Sequence, residues 1–199
     1  WLARVPETLS GQPRANMVLL RGFATLPDWP LFPDVFRMRS LAMAAYPMYR
    51  GVARLVGMDA VAVDDDPGAL LPALEERIDD YDFFFLHVKG TDKAGEDGDF
   101  RQKVDIIERV DEVLPALRET GIGVTLITGD HSTPAKMKSH SWHPVPFLLH
   151  GGPGRGHRSE GTAGLGESEC ARGALGTIRG CELMPLAAAR AGRLGKYGA

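Results

Sequence analysis

Two short clusters in this chain carry the residue types that hold divalent cations. The first is Lys89-Gly90-Thr91-Asp92-Lys93-Ala94-Gly95-Glu96-Asp97-Gly98-Asp99. The second is Gly129-Asp130-His131-Ser132-Thr133-Pro134, continuing to His140-Ser141-Trp142-His143-Pro144-Val145-Pro146-Phe147. Carboxylate oxygen and imidazole nitrogen are donors that a borderline cation takes near neutral pH. Every histidine except His87 falls within or just beyond the second cluster: His131, His140, His143, His150 and His157. Both clusters follow apolar runs, Phe83 to Val88 and Val124 to Thr128. In open α/β sheets, ligands collect outside the carboxyl ends of the strands. Two parallel strands would therefore deliver Asp92 and the Asp130-His131 pair to the same edge of one sheet, where two cations could sit.

The elements that must position these residues follow from spacing and from turn chemistry. Met17 to Leu20 reads as a short strand ending at Arg21, and Pro27 to Pro33 as a loop because its prolines fix φ and remove donors. Ser40 to Val56 reads as a helix that Pro47 kinks or starts anew, with Gly57 closing it. Ala60 to Val63 reads as a strand, and Asp64-Asp65-Asp66-Pro67 as a turn opening a helix from Gly68 to Ile78. The unbroken run Phe83 to Val88 suits a strand covered on both faces, with His87 as a core histidine. Asp99 is an N-cap, after which Val104, Ile107, Val110, Leu114 and Leu117 recur at helical spacing until Gly121. Val124 to Thr128 and Val145 to Leu149 read as strands, residues 151–166 as a glycine-rich loop, and Ser168 to Ala174 and Leu183 to Ala191 as helices. Because His140 precedes its strand whereas Asp92 and Asp130 follow theirs, convergence requires that last strand to run antiparallel to the others, or a long excursion across the sheet.

Composition bounds the rest. A chain of 199 residues, 44% hydrophobic, can bury one sizeable core. A formal charge of −3 leaves no electrostatic footprint for nucleic acid. No run reaches the roughly 18 to 20 apolar residues of a membrane span, and no basic-then-apolar signal opens the chain. Cys170 and Cys181 provide no disulfide framework and read as reduced thiols of a cytoplasmic protein.

The two clusters, with their Asp-His-Ser-Thr-Pro to His-Ser-x-x-Pro-Val-Pro spacing, closely resemble the archaeal-type 2,3-bisphosphoglycerate-independent phosphoglycerate mutases of the alkaline phosphatase superfamily. The resemblance extends to Asn16-Met17-Val18-Leu19-Leu20-Arg21-Gly22, to Tyr49-Arg50-Gly51-Val52-Ala53-Arg54-Leu55, and to the C-terminal segments Ala171 to Gly176, Met184-Pro185-Leu186 and Lys196 to Ala199. It implies an α/β fold with a mixed, mostly parallel sheet flanked by helices and incomplete on the N-terminal side. Residues 1–15 would be a linker or the remnant of an inserted domain, and 16–199 the C-terminal part of the metal-binding domain. Members are about twice as long, and their N-terminal half carries a metal-binding aspartate and the serine that takes the phosphoryl group.

By the same resemblance, two divalent cations are expected, manganese foremost and zinc, cobalt or magnesium usable. Asp130 and His131 would bind one; Asp92 and His140 would bind the other, with Glu96 standing where the family has a histidine ligand. That exchange replaces a neutral donor by an anionic, harder one and favours manganese or magnesium over zinc. Arg21, Arg39, Lys89 and His143 are the substrate-contact candidates, with Arg50 a weaker one, for a small anionic substrate, phosphoglycerate. A related phosphatase, a phosphopentomutase and a non-catalytic metal-binding remnant are the alternatives.

Overall fold

The computed structural model of the chain describes residues 1–20, 22–153 and 164–194. In chain order its elements are α1 (Val5–Thr8), α2 (Phe32–Phe36), β1 (Ser40–Ala44), α3 (Pro47–Leu55), β2 (Asp59–Val61), α4 (Pro67–Glu75), β3 (Phe83–His87), α5 (Gly90–Asp97), α6 (Phe100–Glu119), β4 (Val124–Thr128), β5 (Phe147–Gly151), α7 (Glu167–Cys170) and α8 (Leu183–Arg190). Three strands form a parallel sheet in the order β2-β1-β3, and β4 pairs with β5 antiparallel in a second sheet.

The central strand β1 is buried along its whole length. Alternation of its side chains decides what each face packs against. Leu41 and Met43 join Leu70 and Leu74 of α4 and Leu117 of α6 in the main core, with Phe84 and Leu86 of β3 against them. On the other face, Ala42 meets Ala53 of α3 and Met58, with Phe32 and Phe83 packed against them. The same alternation puts His87 of β3 on the α3 face. Asp99 caps α6 by accepting from the Gln102 amide at 2.9 Å.

Several expectations change. Ser40 to Ala44 is a strand, not the first turns of a helix; its Leu, Ala and Met residues are good helix formers, but pairing on both sides in a covered sheet overrides propensity. Pro47 then starts α3 at its first position, where a missing amide costs nothing. Met17 to Leu20 forms no strand, and Met17, Leu19 and Leu20 are exposed. Part of the supposed N-terminal linker is helical, as α1. Gly90 to Asp97, which carried no helix expectation, forms α5. Phe83 to His87 is only partly buried, because β3 is an edge strand. The two acidic clusters follow strands of different sheets rather than one.

At the amino end of the parallel sheet, Asp82 accepts from the Arg39 amide at 3.0 Å and the Arg39 Nε at 3.1 Å, while Arg193 Nη2 donates to its other oxygen at 3.0 Å. The Arg39 hydrogen bonds foremost hold the Asp82 carboxyl down at about 2. A carboxyl depressed in the folded state adds stability that is complete above its unfolded value near 4 and disappears as pH falls toward about 2. Asp82→Asn should therefore lower stability at neutral pH and flatten the stability profile between about pH 4 and pH 2 relative to the parent chain; urea unfolding across that range reads the difference. In the core, Leu74→Ala should cost about 2–5 kcal/mol by the same measurement, since the side chain is fully enclosed.

Candidate metal centre

Helix α5 opens directly after β3 and places Asp92 and Glu96 one turn apart on one face. The loop after β4 supplies the other donors. Pro134 accepts amide bonds from Met137 and Lys138, the chain turns at Lys138 in the left-handed region, and the Ser141 amide then donates to the Ser132 carbonyl at 2.8 Å. That single bridge carries His140 back beside His131, their rings 3.8 Å apart between centroids. The antiparallel β5 leaves from here, as convergence requires.

The outcome is one compact set of donors. Asp92, His131 and His140 each offer an atom within 4.8 Å of the others. His140 Nε2 lies 3.5 Å from both Asp92 Oδ1 and Glu96 Oε1, and His131 Nε2 lies 3.4 Å from Asp130 Oδ2. All five expected ligands are thus brought together. Carboxylates and imidazoles in contact, without alternative cationic partners for Glu96 or Asp130 among the described residues, fit divalent cations.

Asp92 is the most enclosed of them, its side chain 14% exposed. Burial alone would raise its carboxyl value; donation from Lys89 Nζ and Thr133 Oγ1 outweighs burial and lowers it. Lys89 is reciprocally raised, chiefly by that bond to Asp92. Its ammonium also sits 5.8 Å above the Tyr46 ring. His143 is placed just outside, its Nδ1 2.9 Å from Ser141 Oγ and its ring stacked on exposed Trp142. Arg39 is not brought to the cluster: it sits at the opposite end of β1, about 16 Å away at the usual strand rise, engaged with Asp82. Arg50 turns its guanidinium onto the Ala44 and Ala45 carbonyls, closing the end of β1. Arg21 lies outside the described residues, as do Arg155, His157 and Arg158.

Tyr49 belongs to the site although the spacing of chemical residues did not mark it. Its ring stacks on His87 at 3.7 Å and its hydroxyl reaches Asp130 Oδ2 at 3.5 Å. Burial first, then the Asp130 charge, raises its phenol, so it stays protonated and able to donate. Burial likewise lowers His87, whose enclosed Nδ1 has no hydrogen-bond partner among the described residues. No local pattern signals it, because its role depends on α3 packing over the face of β3 that holds His87.

The loop seats on α5 only because Gly95 lacks a side chain. A Cβ there would come 2.3 Å from the Thr133 carbonyl oxygen. Gly95→Ala should therefore displace the loop and cost about 1–3 kcal/mol in chemical unfolding, as overpacking does. Gly51→Ala on α3, where an added Cβ meets nothing within 4 Å, should be neutral or stabilising by about 0.5–1 kcal/mol. Equal responses of the two variants would show that the close approach is not a constraint.

The model of the metalloenzyme superfamily matches residues 10–190. A probable 2,3-bisphosphoglycerate-independent phosphoglycerate mutase of Thermotoga petrophila is 47% identical over 198 residues, covering 100% of this chain and 49% of its own length. The PH0037 protein of Pyrococcus horikoshii superposes with a TM-score of 0.82 at 36% identity, over 90% of this chain and 57% of that one. A cofactor-independent phosphoglycerate mutase of Thermoplasma acidophilum shares the fold at a TM-score of 0.63 and 21% identity, over 96% of this chain and 49% of that one. The chain spans about half the length of the curated relatives it matches. With a parallel sheet flanked by helices and a carboxylate-imidazole cluster at its carboxyl end, the chain belongs to the metalloenzyme superfamily.

Proposed function

We propose that this chain is the metal-binding half of a 2,3-bisphosphoglycerate-independent phosphoglycerate mutase, which moves a phosphoryl group between the 3- and 2-oxygens of glycerate. The observation that carries the reading is the convergence of Asp92, His131 and His140 within 4.8 Å, with Glu96 and Asp130 in contact with it. Asp130 and His131 would hold one divalent cation, and Asp92, Glu96 and His140 the other, manganese being favoured by the carboxylates. Two such cations stabilise the entering and leaving oxygens of a phosphoryl group.

The chain's own side chains have distinct tasks in this reading. Lys89 fixes Asp92 and adds positive charge beside the donors. Tyr49 stays protonated against Asp130. Arg21, Lys89 and His143 are the groups assigned to the phosphate and carboxylate of the substrate, where a guanidinium fork suits bidentate binding. The Arg39 guanidinium serves the sheet instead. No helix among the described residues is long and apolar enough to cross a membrane, in keeping with a cytoplasmic enzyme of glycolysis.

Assayed alone, this chain should neither isomerise phosphoglycerate nor release phosphate from esters, because loss of a nucleophile costs on the order of 10⁴–10⁶-fold and the serine belongs to the half of the relatives that it does not span. Turnover by purified chain that survives both Asp130→Ala and His131→Ala would place the chemistry elsewhere. Calorimetric titration with manganese and zinc tests the donors themselves. Glu96→His should shift preference toward zinc, and Glu96→Ala should weaken the Asp92-His140 cation while sparing the other. A parent chain that matches Glu96→Ala for both metals would remove Glu96 from the ligand set and favour a non-catalytic remnant.

A further inference from the structure

Thr133 is one of only two buried polar or charged residues among those described, at 4% exposed, and it touches both halves of the metal centre. Its Oγ1 lies 2.5 Å from Asp92 Oδ1 and 3.1 Å from His131 Nδ1. Its backbone is gripped as well: Lys103 Nζ donates to its carbonyl at 2.7 Å, and the bare Gly95 lets α5 press against it.

Proton counting fixes the roles. A threonine hydroxyl has one hydrogen and two lone pairs, and a carboxylate can only accept. The short contact to Asp92 therefore takes the hydroxyl hydrogen, leaving only lone pairs toward His131. At 3.1 Å, a second lone pair on Nδ1 would be repulsive, so Nδ1 must carry the ring hydrogen. The Nε2 lone pair then faces Asp130 Oδ2 at 3.4 Å, two electron-pair donors side by side that a cation between them would reconcile. We infer that Thr133 is a positioning residue: its hydroxyl holds His131 in the Nδ1–H tautomer, turns Nε2 to the Asp130 side, and ties that histidine to Asp92 across the two cation positions.

The inference rests on the metal-centre reading and separates two roles that proximity alone leaves open. His131 is as close to Asp92 and His140 as a shared ligand would be. Occupation of Nδ1 by the hydroxyl removes it from that set and assigns Nε2 to the cation of Asp130. Such outer partners of ligating histidines typically change metal affinity about 10–100-fold when lost.

The test uses the full chain and the conservative pair Thr133→Val and Thr133→Ser. Nitrogen-proton correlation spectra of the histidine rings, recorded without metal about two pH units above the ordinary histidine value, should show His131 as the Nδ1–H tautomer in the parent and in Thr133→Ser. In Thr133→Val the ring should move to a mixture or to Nε2–H. Calorimetric titration with manganese alone should show Thr133→Val weakened about 10–100-fold at both sites, and Thr133→Ser close to the parent. A parent chain with His131 as Nε2–H overturns the inference, whether or not the valine variant folds. So does a serine variant that behaves like valine, since packing of the methyl group would then be the cause. A parent chain that binds no manganese yet switches tautomer with Thr133→Val sinks the metal reading while upholding the role of the hydroxyl.

Discussion

Everything at the carboxyl end of this sheet is arranged around a carboxylate that is difficult to bury. Asp92 is largely enclosed, and an ion removed from water must recover its solvation from fixed partners. It does so from three elements at once: Lys89 from the β3 end, Thr133 from the β4 loop, and His140 from the return of that loop. Those contacts explain why α5 begins where it does, why a glycine faces Thr133, and why the loop after β4 folds back on itself. Removing any one partner leaves the charge under-solvated, so the β3 end is coupled through one side chain to the loop after β4, whose two arms are themselves joined by the Ser132–Ser141 bridge.

The same dependence accounts for what was legible in the sequence. The two clusters are conspicuous because acid and imidazole residues follow apolar runs; the family resemblance singled out Asp92, Glu96, Asp130, His131 and His140 within them, and the structure brings all five together. Asp99 and the apolar spacing of α6 are local signals, and both are realised. What escaped the sequence is non-local. Ser40 to Ala44 reads as helix by propensity, but it is the strand that two others pair with, a fact residing in Asp59 to Val61 and Phe83 to His87. Tyr49 matters only because α3 packs on the face that holds His87. Arg39 looked available to substrate because its partner, Asp82, is forty-three residues away in the chain. Neither a periodicity nor a spacing encodes such pairings.

The two ends of the parallel sheet divide labour. At the amino end, Asp82 accepts from both Arg39 and Arg193, and its carboxyl is held well below its ordinary value. At the carboxyl end, Glu96 and Asp130 keep much of their exposure and face imidazoles rather than guanidinium groups. Charge is neutralised where it locks the fold and left in excess where a cation would complete it. Glu96, standing where the family resemblance expects a histidine, deepens that excess on one side of the donor set, so the two proposed cation positions would differ in charge as well as in donor type.

That asymmetry gives the edge strands their significance. β3 and β4 both lead into the centre, yet they belong to different sheets, and among the described residues no backbone ladder pairs them. Their spacing is set instead by side chains that span the gap: Tyr49, stacked on His87 and reaching Asp130, and Thr133, joining His131 to Asp92. A metal centre needs donors placed to within a few tenths of an ångström. Where paired strands would supply that rigidity through ladders of amide bonds, here side chains supply it: the Tyr49 ring, the Thr133 hydroxyl and Lys103 on the Thr133 carbonyl. The geometry of the proposed cation positions is therefore a property of side-chain packing across the gap, and residues outside the donor set fix where its donors stand.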